Sequence, residues 1–316
     1  MDIRNVTILG GSGFVGWHLA RLLAARGSGC IVPTRNRERA KRELLVLPTV
    51  SVVEADIHRD DELDRMIAGA DAVVNLAGIL HESGRESFRR VHVELPARVI
   101  AACRRTGVKR YVHMSALGAD RNGPSRYLRS KGEGEAHALE AARAGMAVTV
   151  FRPSVIFGRG DSFLSMFARM LRLAPVIPLG SPQARFQPVW VGDVARAFAD
   201  ALGHRATFGR AYDLCGPTVY TLRELVRLTG DAIGCRRPII GLGRTTSYLQ
   251  ALAMELSPVK LLTRDNLRSM AVDNVCGCAW PEVFEFLPAH LEAIVPTYLG
   301  SEKNRAYGDY RSRARR

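Results

Sequence analysis

Little in this 316-residue chain suggests a membrane span, a disulfide framework or a metal centre. No run of about 18 apolar residues occurs, so no transmembrane helix is expected. Cysteine is sparse, with six residues at 30, 103, 215, 235, 276 and 278 and no CxxC pair. A structural zinc site wants two such pairs or histidines at matching spacing. Cys276-Gly277-Cys278 is the closest approach, so no metal is expected. The amino end has no signal-peptide apolar region and no Arg/Ser-rich transit segment before the apolar run at Val6. The expected location is cytoplasmic, with a mature organelle protein and peripheral membrane contact left open. A content of 47% hydrophobic and 24% charged residues excludes a disordered chain and allows one large or two smaller domains.

Positive charge is in excess, +14 overall, and unevenly placed. The last 16 residues hold Lys303, Arg305, Arg311, Arg313, Arg315 and Arg316 against Glu302 and Asp309, a net of +4 that leaves +10 on the body. This tail has no apolar periodicity and reads as disordered. It is either a solvated end or a contact for anionic lipid, an acidic partner or nucleic acid. Tyr307 and Tyr310 are there, but no folded recognition element accompanies them, so nucleic acid is disfavoured.

The first half alternates strand and helix signals. Strand-like runs lie at 6–9, 30–32, 50–53, 72–76, 111–114 and 148–151. Helical periodicity falls at 14–26, around Leu63, Met66 and Ile67, over 87–106 with Pro96 as a kink, and over 131–143. Such alternation predicts an α/β fold with a doubly wound parallel sheet. The expected organisation is a Rossmann domain at 1–155 with a return segment at 188–215. A smaller, mostly helical lobe at 156–300 and the tail at 301–316 follow. In that lobe Thr221 and Glu224 form a capping box, and helical stretches lie near 245–256 and 263–272. Leu249, Leu252, Leu256, Leu261 and Leu262 read as plain core, with an apolar substrate lining as the alternative.

Between the first strand and first helix stands Gly10-Gly11-Ser12-Gly13-Phe14-Val15-Gly16. In strand–turn–helix context, glycines at this spacing permit a tight turn and close approach of a pyrophosphate to the helix N-terminus. Beyond the second strand an NAD site usually carries an Asp or Glu for the ribose 2′-OH. Here the residues are Arg35-Asn36-Arg37, whose guanidinium groups suit a 2′-phosphate and favour NADP(H) over NAD(H).

With these residues the chain resembles the short-chain dehydrogenase/reductase superfamily, of the extended or atypical kind. The likeness covers about residues 3–215. Asp56-Ile57 matches the segment whose Asp reaches the adenine in that family. Leu76-Ala77-Gly78 matches the motif ending the fourth strand, and Pro153 the stretch that passes the nicotinamide. Tyr127-Leu128-Arg129-Ser130-Lys131 matches the YxxxK motif. Segments 125–135, 156–163 and 178–180 are similar to the subgroup containing the 39-kDa accessory subunit of respiratory complex I and its bacterial relatives. The resemblance implies a bound NADPH and a link to complex I-like assemblies or ubiquinone metabolism.

Tyr127 and Lys131 stand four apart near a helix start and so share a face. The resemblance implies that Lys131 binds the nicotinamide ribose and lowers the Tyr127 pKa, while Tyr127 exchanges a proton with substrate. A Ser or Thr after the fifth strand normally completes the site. Here Ala116 falls at that position and Ser115 one place earlier, so Ser115 serves only through a register shift. His92 stands where many extended members have Asn, and reads as a packed or solvated residue. Two functions are left in balance: an oxidoreductase acting on a small or apolar carbonyl such as a quinone, and a non-catalytic accessory protein stabilised by its nucleotide. A peripheral role through the basic tail is the third and weakest.

Overall fold

The computed structural model describes residues 3–44, 46–84, 86–255 and 262–300. The expected basic tail, and Leu256 and Leu261, lie outside the described residues.

The elements run β1 Asn5–Leu9, α1 Phe14–Ala25, β2 Gly29–Thr34, α2 Arg37–Leu44, β3 Val50–Glu54, α3 Asp60–Ile67 and β4 Ala72–Asn75. A π-helical stretch at Arg89–Glu94 then runs into α4 Leu95–Thr106. Next come β5 Arg110–Met114, α5 Arg126–Arg143, β6 Ala147–Pro153, β7 Ile156–Phe157, α6 Phe163–Leu173, β8 Ile177–Gly180, β9 Arg185–Phe186 and β10 Val189–Trp190. The chain continues through α7 Val191–Gly203, β11 Arg210–Leu214, β12 Tyr220–Thr221, α8 Leu222–Ala232, β13 Ile239–Leu242, α9 Arg244–Glu255, α10 Arg264–Ser269 and α11 Leu291–Leu299.

Seven strands form one sheet in the order β11-β6-β5-β4-β1-β2-β3, every neighbouring pair parallel. This is the doubly wound α/β architecture that the strand–helix alternation predicts. Reversal of order at β1 opens a crevice at the carboxyl ends of β1 and β4, where the glycine turn lies. The apolar runs of the strands follow from burial on both faces: β4 is buried at every position. Leu95, Val99 and Cys103, the periodic positions of α4, pack with Leu63 and Ile67 of α3 and with Val73, Tyr111 and Val148 of the sheet.

The expected continuous helix over 87–106 is broken. Its first part winds as a π-helix, and Pro96 then falls in the first turn of α4, where its missing N–H costs little. Helix α5 starts five residues before the expected Lys131 because Ser125 caps it, its Oγ accepting the Leu128 N–H at 3.1 Å.

Contacts divide the chain into two compact units. The first comprises the described residues of Met1–Ser154, with Val191–Leu214 and Cys276–Leu287. Aromatic packing explains the last segment: the Phe284 ring lies 5.6 Å from Phe151 and 5.5 Å from Tyr212, and Arg196 sits over Phe286. Arg110 of β5 is fully buried in this unit, with no carboxylate partner among the described residues. It donates to the Ala201 and Leu202 carbonyls at 2.8 and 3.1 Å, ending α7, and also to the Ala147 carbonyl and Thr149 Oγ1. Burial pushes its guanidinium down to about 9.

The second unit comprises the described residues of Val155–Trp190, Cys215–Val275 and from Pro288 on. Its core is formed by Leu164, Phe167 and Leu171 of α6 with Leu225 and Val226 of α8 and Leu291 and Val295 of α11. Strands β8 and β13 pair in parallel, and α9 packs on β8. The capping box of Thr221 and Glu224 is present. The core expectation fails for Leu249 and Leu252, which are 57% and 39% exposed.

Candidate nucleotide and active site

The glycine turn is built so that no side chain fits in it. Gly10 has φ +77°, and a Cβ there would lie 2.9 Å from the Ala77 nitrogen. A Cβ on Gly16 would lie 2.4 Å from the Gly10 carbonyl oxygen. The Gly13 N–H donates to Gly10 O at 3.0 Å, closing the turn. Helix α1 then begins at Phe14, and Gly13 supplies no side-chain cap. Its first N–H groups and the helix dipole therefore face the turn, an arrangement that favours a diphosphate. Val15 and Gly16 are buried, Phe14 is half-buried, and Ser12 and Gly13 are exposed at the mouth.

Arg35 follows β2 and Arg37 opens α2; both are exposed, with Asn36 between them. The Asn36 N–H donates to Thr34 Oγ1 at 3.3 Å. An acid does reach this end of the site, contrary to the local sequence: Glu86 forms an ion pair with Arg35 from 51 residues along the chain. Asp56 serves its own turn, its Oδ1 accepting the His58 N–H at 3.0 Å while its N–H donates to Glu62. Ile57 packs on the first unit's core.

At the end of β4, Asn75 Oδ1 accepts the Ala77 N–H at 3.1 Å and Nδ2 donates to the Tyr111 hydroxyl at 3.2 Å. Tyr111 Oη lies 3.0 Å from His113 Nδ1. This buried chain fixes the Leu76-Ala77-Gly78 segment against the glycine turn. Leu76 is buried, and Gly78 faces α5: a Cβ there would sit 3.6 Å from Lys131 Nζ and 3.7 Å from His92 Nε2.

Lys131 is buried, and its Nζ donates to the Met114 carbonyl at 2.9 Å. Burial pulls the ammonium down to about 8 against the opposing charge of Glu135. Tyr127 lies one turn earlier on α5, its ring edge-on to His92 at 5.5 Å and to Phe88 at 5.9 Å. Burial pushes its phenol up to about 12. Desolvation of the buried phenol is the cause of that shift.

His92 is the residue whose place the sequence does not convey. Its Nε2 accepts the Ile79 N–H at 3.1 Å, and its Nδ1 lies 2.9 Å from Ser130 Oγ. Ser130 Oγ in turn donates to the Tyr127 carbonyl at 2.8 Å. Since Nε2 accepts, Nδ1 carries the proton and donates to Ser130. Burial, with the Lys131 charge beside it, pulls His92 down to about 2, so the ring is neutral. The π-turn places this ring, and Gly134 allows the approach: a Cβ at 134 would fall 1.9 Å from the His92 carbonyl oxygen.

Ser115 follows β5 directly and is buried, and its Oγ has no hydrogen-bond partner among the described residues. Ala116 beside it is also buried. Pro153 closes β6, its carbonyl accepting the Leu117 N–H at 2.9 Å. Arg152 pairs with buried Glu135 of α5, fixing that helix to the sheet. The fold thus gathers Tyr127, Lys131, His92 and Gly78 at the carboxyl end of β4, and sets Ser115 next to the carbonyl that Lys131 uses.

A family profile described as the NAD dependent epimerase/dehydratase family matches residues 6–215. The chain belongs to this family. Among its relatives is the NADH dehydrogenase (ubiquinone) 1 alpha subcomplex subunit 9 of Arabidopsis thaliana mitochondria, 34% identical over 72% of this chain and 57% of that protein. Another is the NADH-ubiquinone oxidoreductase 40 kDa subunit of Neurospora crassa mitochondria, 27% identical over 96% of this chain and 81% of that protein. The match spans less than two thirds of the Arabidopsis relative. Among solved structures, MoeE5 in complex with UDP-glucose and NAD aligns with a TM-score of 0.71 at 20% identity, covering 96% of this chain and 99% of that one. That likeness shows the shared fold. Members of this family bind a nicotinamide nucleotide, and the glycine turn of this chain is built for one. Among the described residues no helix is long and apolar enough to cross a membrane.

Proposed function

We propose that the chain binds NADP(H) in preference to NAD(H) and uses it to reduce a small or apolar carbonyl, with a quinone as the leading candidate. One observation carries this reading: Lys131 is a buried ammonium one turn from Tyr127 whose hydrogen bond to Met114 O uses one of its three donors. The other two suit the paired hydroxyls of a ribose. The glycine cradle and the unpartnered Ser115 Oγ fit a dinucleotide and a substrate oxygen respectively.

When bound, the nicotinamide supplies or accepts the hydride. Lys131 holds the ribose. Tyr127, kept protonated by its burial, gives its phenolic proton to the substrate oxygen in the reductive direction and takes it back in the other. Ser115 Oγ donates to the same oxygen in place of the hydroxyl absent at Ala116. His92 holds Ile79 and Ser130 and so sets the spacing between the loop after β4 and the Tyr127–Lys131 face. Arg35 and Arg37 receive the 2′-phosphate, Arg35 exchanging Glu86 for it. The further partners fitting this reading are an apolar substrate and a peripheral contact with a membrane or a respiratory assembly.

Ala116 and the complex I subunits among the relatives favour a second reading, a nucleotide-bearing accessory protein without turnover. Mixing the purified chain with NADPH and a panel of quinones and carbonyls, and following nucleotide fluorescence, separates the two. Oxidation that depends on Tyr127 supports the first. Tight NADPH binding with no oxidation across the panel supports the second.

A further inference from the structure

Two stretches of the second unit contain no acidic residue: 162–190 and 232–254. The pairing of β8 with β13 brings them together, residue Ile177 opposite Ile239 and Gly180 opposite Leu242. Two side-chain bonds tie neighbouring elements into the same surface. Arg237 Nε donates to the Leu171 carbonyl at the end of α6, at 3.2 Å. Gln250 Nε2 of α9 donates to the Pro178 carbonyl at 2.8 Å.

This surface is apolar to an unusual degree. Of the ten large hydrophobic side chains exposed among the described residues, six lie here: Leu173, Val176, Ile240, Tyr248, Leu249 and Leu252. Helix α9 is inverted relative to an ordinary surface helix. Its buried positions are the small Ser247 and Ala251, which rest against β8, while Tyr248, Leu249 and Leu252 share the outward face. Around them stand exposed Arg169, Arg172 and Arg244. The bordering carboxylates, Asp231 and Glu255, are paired with Arg236 and Arg264.

We infer that this face, made of the end of α6, the β8–β13 ribbon and α9, docks on an anionic lipid surface. Exposed leucines at helical spacing, a tyrosine and exposed arginines are what an interfacial element needs. The aliphatic side chains enter the acyl boundary, the Tyr248 ring sits at headgroup level, and the guanidinium groups meet phosphates. A protein partner of ordinary composition would be expected to meet unpaired acidic residues on such a face; the two stretches carry none, and the bordering Asp231 and Glu255 are paired. The inference does not depend on the nucleotide reading.

Sedimentation of the full chain with vesicles tests it. The chain should pellet with vesicles of phosphatidylcholine and phosphatidylglycerol, pellet poorly with phosphatidylcholine alone, and release at high salt. The double change Leu249→Glu and Leu252→Glu should reduce partitioning by about tenfold with melting temperature and NADPH affinity unchanged. Should that variant fold poorly, Arg172→Glu with Arg244→Glu, on exposed side chains, should give the same loss. All variants keep the carboxyl-terminal basic residues, so a difference reports on this face alone. Pelleting of the variants equal to the parent would overturn the inference. So would light scattering that shows a dimer in the parent and a monomer in the leucine variant with vesicle binding unaltered, since a second copy would then cover the face. Loss of NADPH binding by the parent would overturn the proposed function and leave this result standing.

Discussion

His92 and Ser130 are joined by a 2.9 Å hydrogen bond that fixes the loop after β4 to the helix carrying Tyr127 and Lys131. The ring makes this bond and accepts the Ile79 N–H at once only when the imidazole is neutral, because Nε2 must keep its lone pair.

That requirement gives an acid sensitivity. His92 is held down to about 2 and His113 to about 3, against 6.5 in an unfolded chain. Between these values the unfolded state binds more protons than the folded one, so stability falls as pH drops below about 6.5. Urea unfolding from pH 7 to pH 5 should show this slope, and His92→Asn should make it shallower. His92→Ala at pH 7 should cost about 1–3 kcal/mol, because the Ile79 N–H loses its acceptor. A midpoint in urea equal to the parent's would remove the clamp.

Lys131 gives a dependence at the other end of the scale. Its ammonium, pulled down to about 8, loses its charge as pH rises through that value. NADPH affinity, read by fluorescence titration, should weaken above about pH 8, and Lys131→Met should bind weakly at every pH with a flat profile. Parallel profiles for the two proteins would show that the ammonium does not hold the nucleotide.

Arg35 and Glu86 predict opposite effects on the nucleotide choice. Arg35→Asp should weaken NADPH by about 1.5–3 kcal/mol, the value of a charge-assisted hydrogen bond, and leave NADH nearly unchanged. Glu86→Gln should tighten NADPH, because the carboxylate no longer competes with the 2′-phosphate for Arg35. Calorimetry with both nucleotides checks each outcome, and equal affinities in the unaltered chain would refute the preference.

Catalysis is probed at Tyr127 and Ala116. Tyr127→Phe should abolish turnover of the best substrate found while NADPH still binds, since the phenol acts mainly in the transition state. A missing oriented donor can slow a reaction by about 10²–10³. Ala116→Ser should therefore raise the rate, and Ser115→Ala should lower it. Unchanged turnover in Tyr127→Phe would take the phenol out of the mechanism.

The strands and the glycine turn were legible because their signals are local: apolar runs bounded by glycine, and a spacing that only a tight turn satisfies. The Tyr127–Lys131 pair was legible for the same reason, since four residues on a helix share a face. Glu86 was not, because it meets Arg35 through a long loop and nothing near Arg35 announces it. His92 was not, because its two bonds exist only once the chain winds as a π-turn and Gly134 lets α5 approach. Leu249 and Leu252 misled for a different reason: periodicity identifies the apolar face of a helix and says nothing about whether that face turns inward.

Arg110 bears on the order in which the chain must be made. Its carbonyl partners at Ala201 and Leu202 are 91 and 92 positions downstream. A nascent chain that has emerged only through β6 holds this guanidinium without the helix end that receives it, and it lacks the β11 edge strand. Until β11 emerges, β6 is therefore the unpaired edge of the sheet. The last strand of the sheet is made only after the whole intervening segment 155–190 has been synthesised, so a period with an unpaired β6 edge is built into the topology.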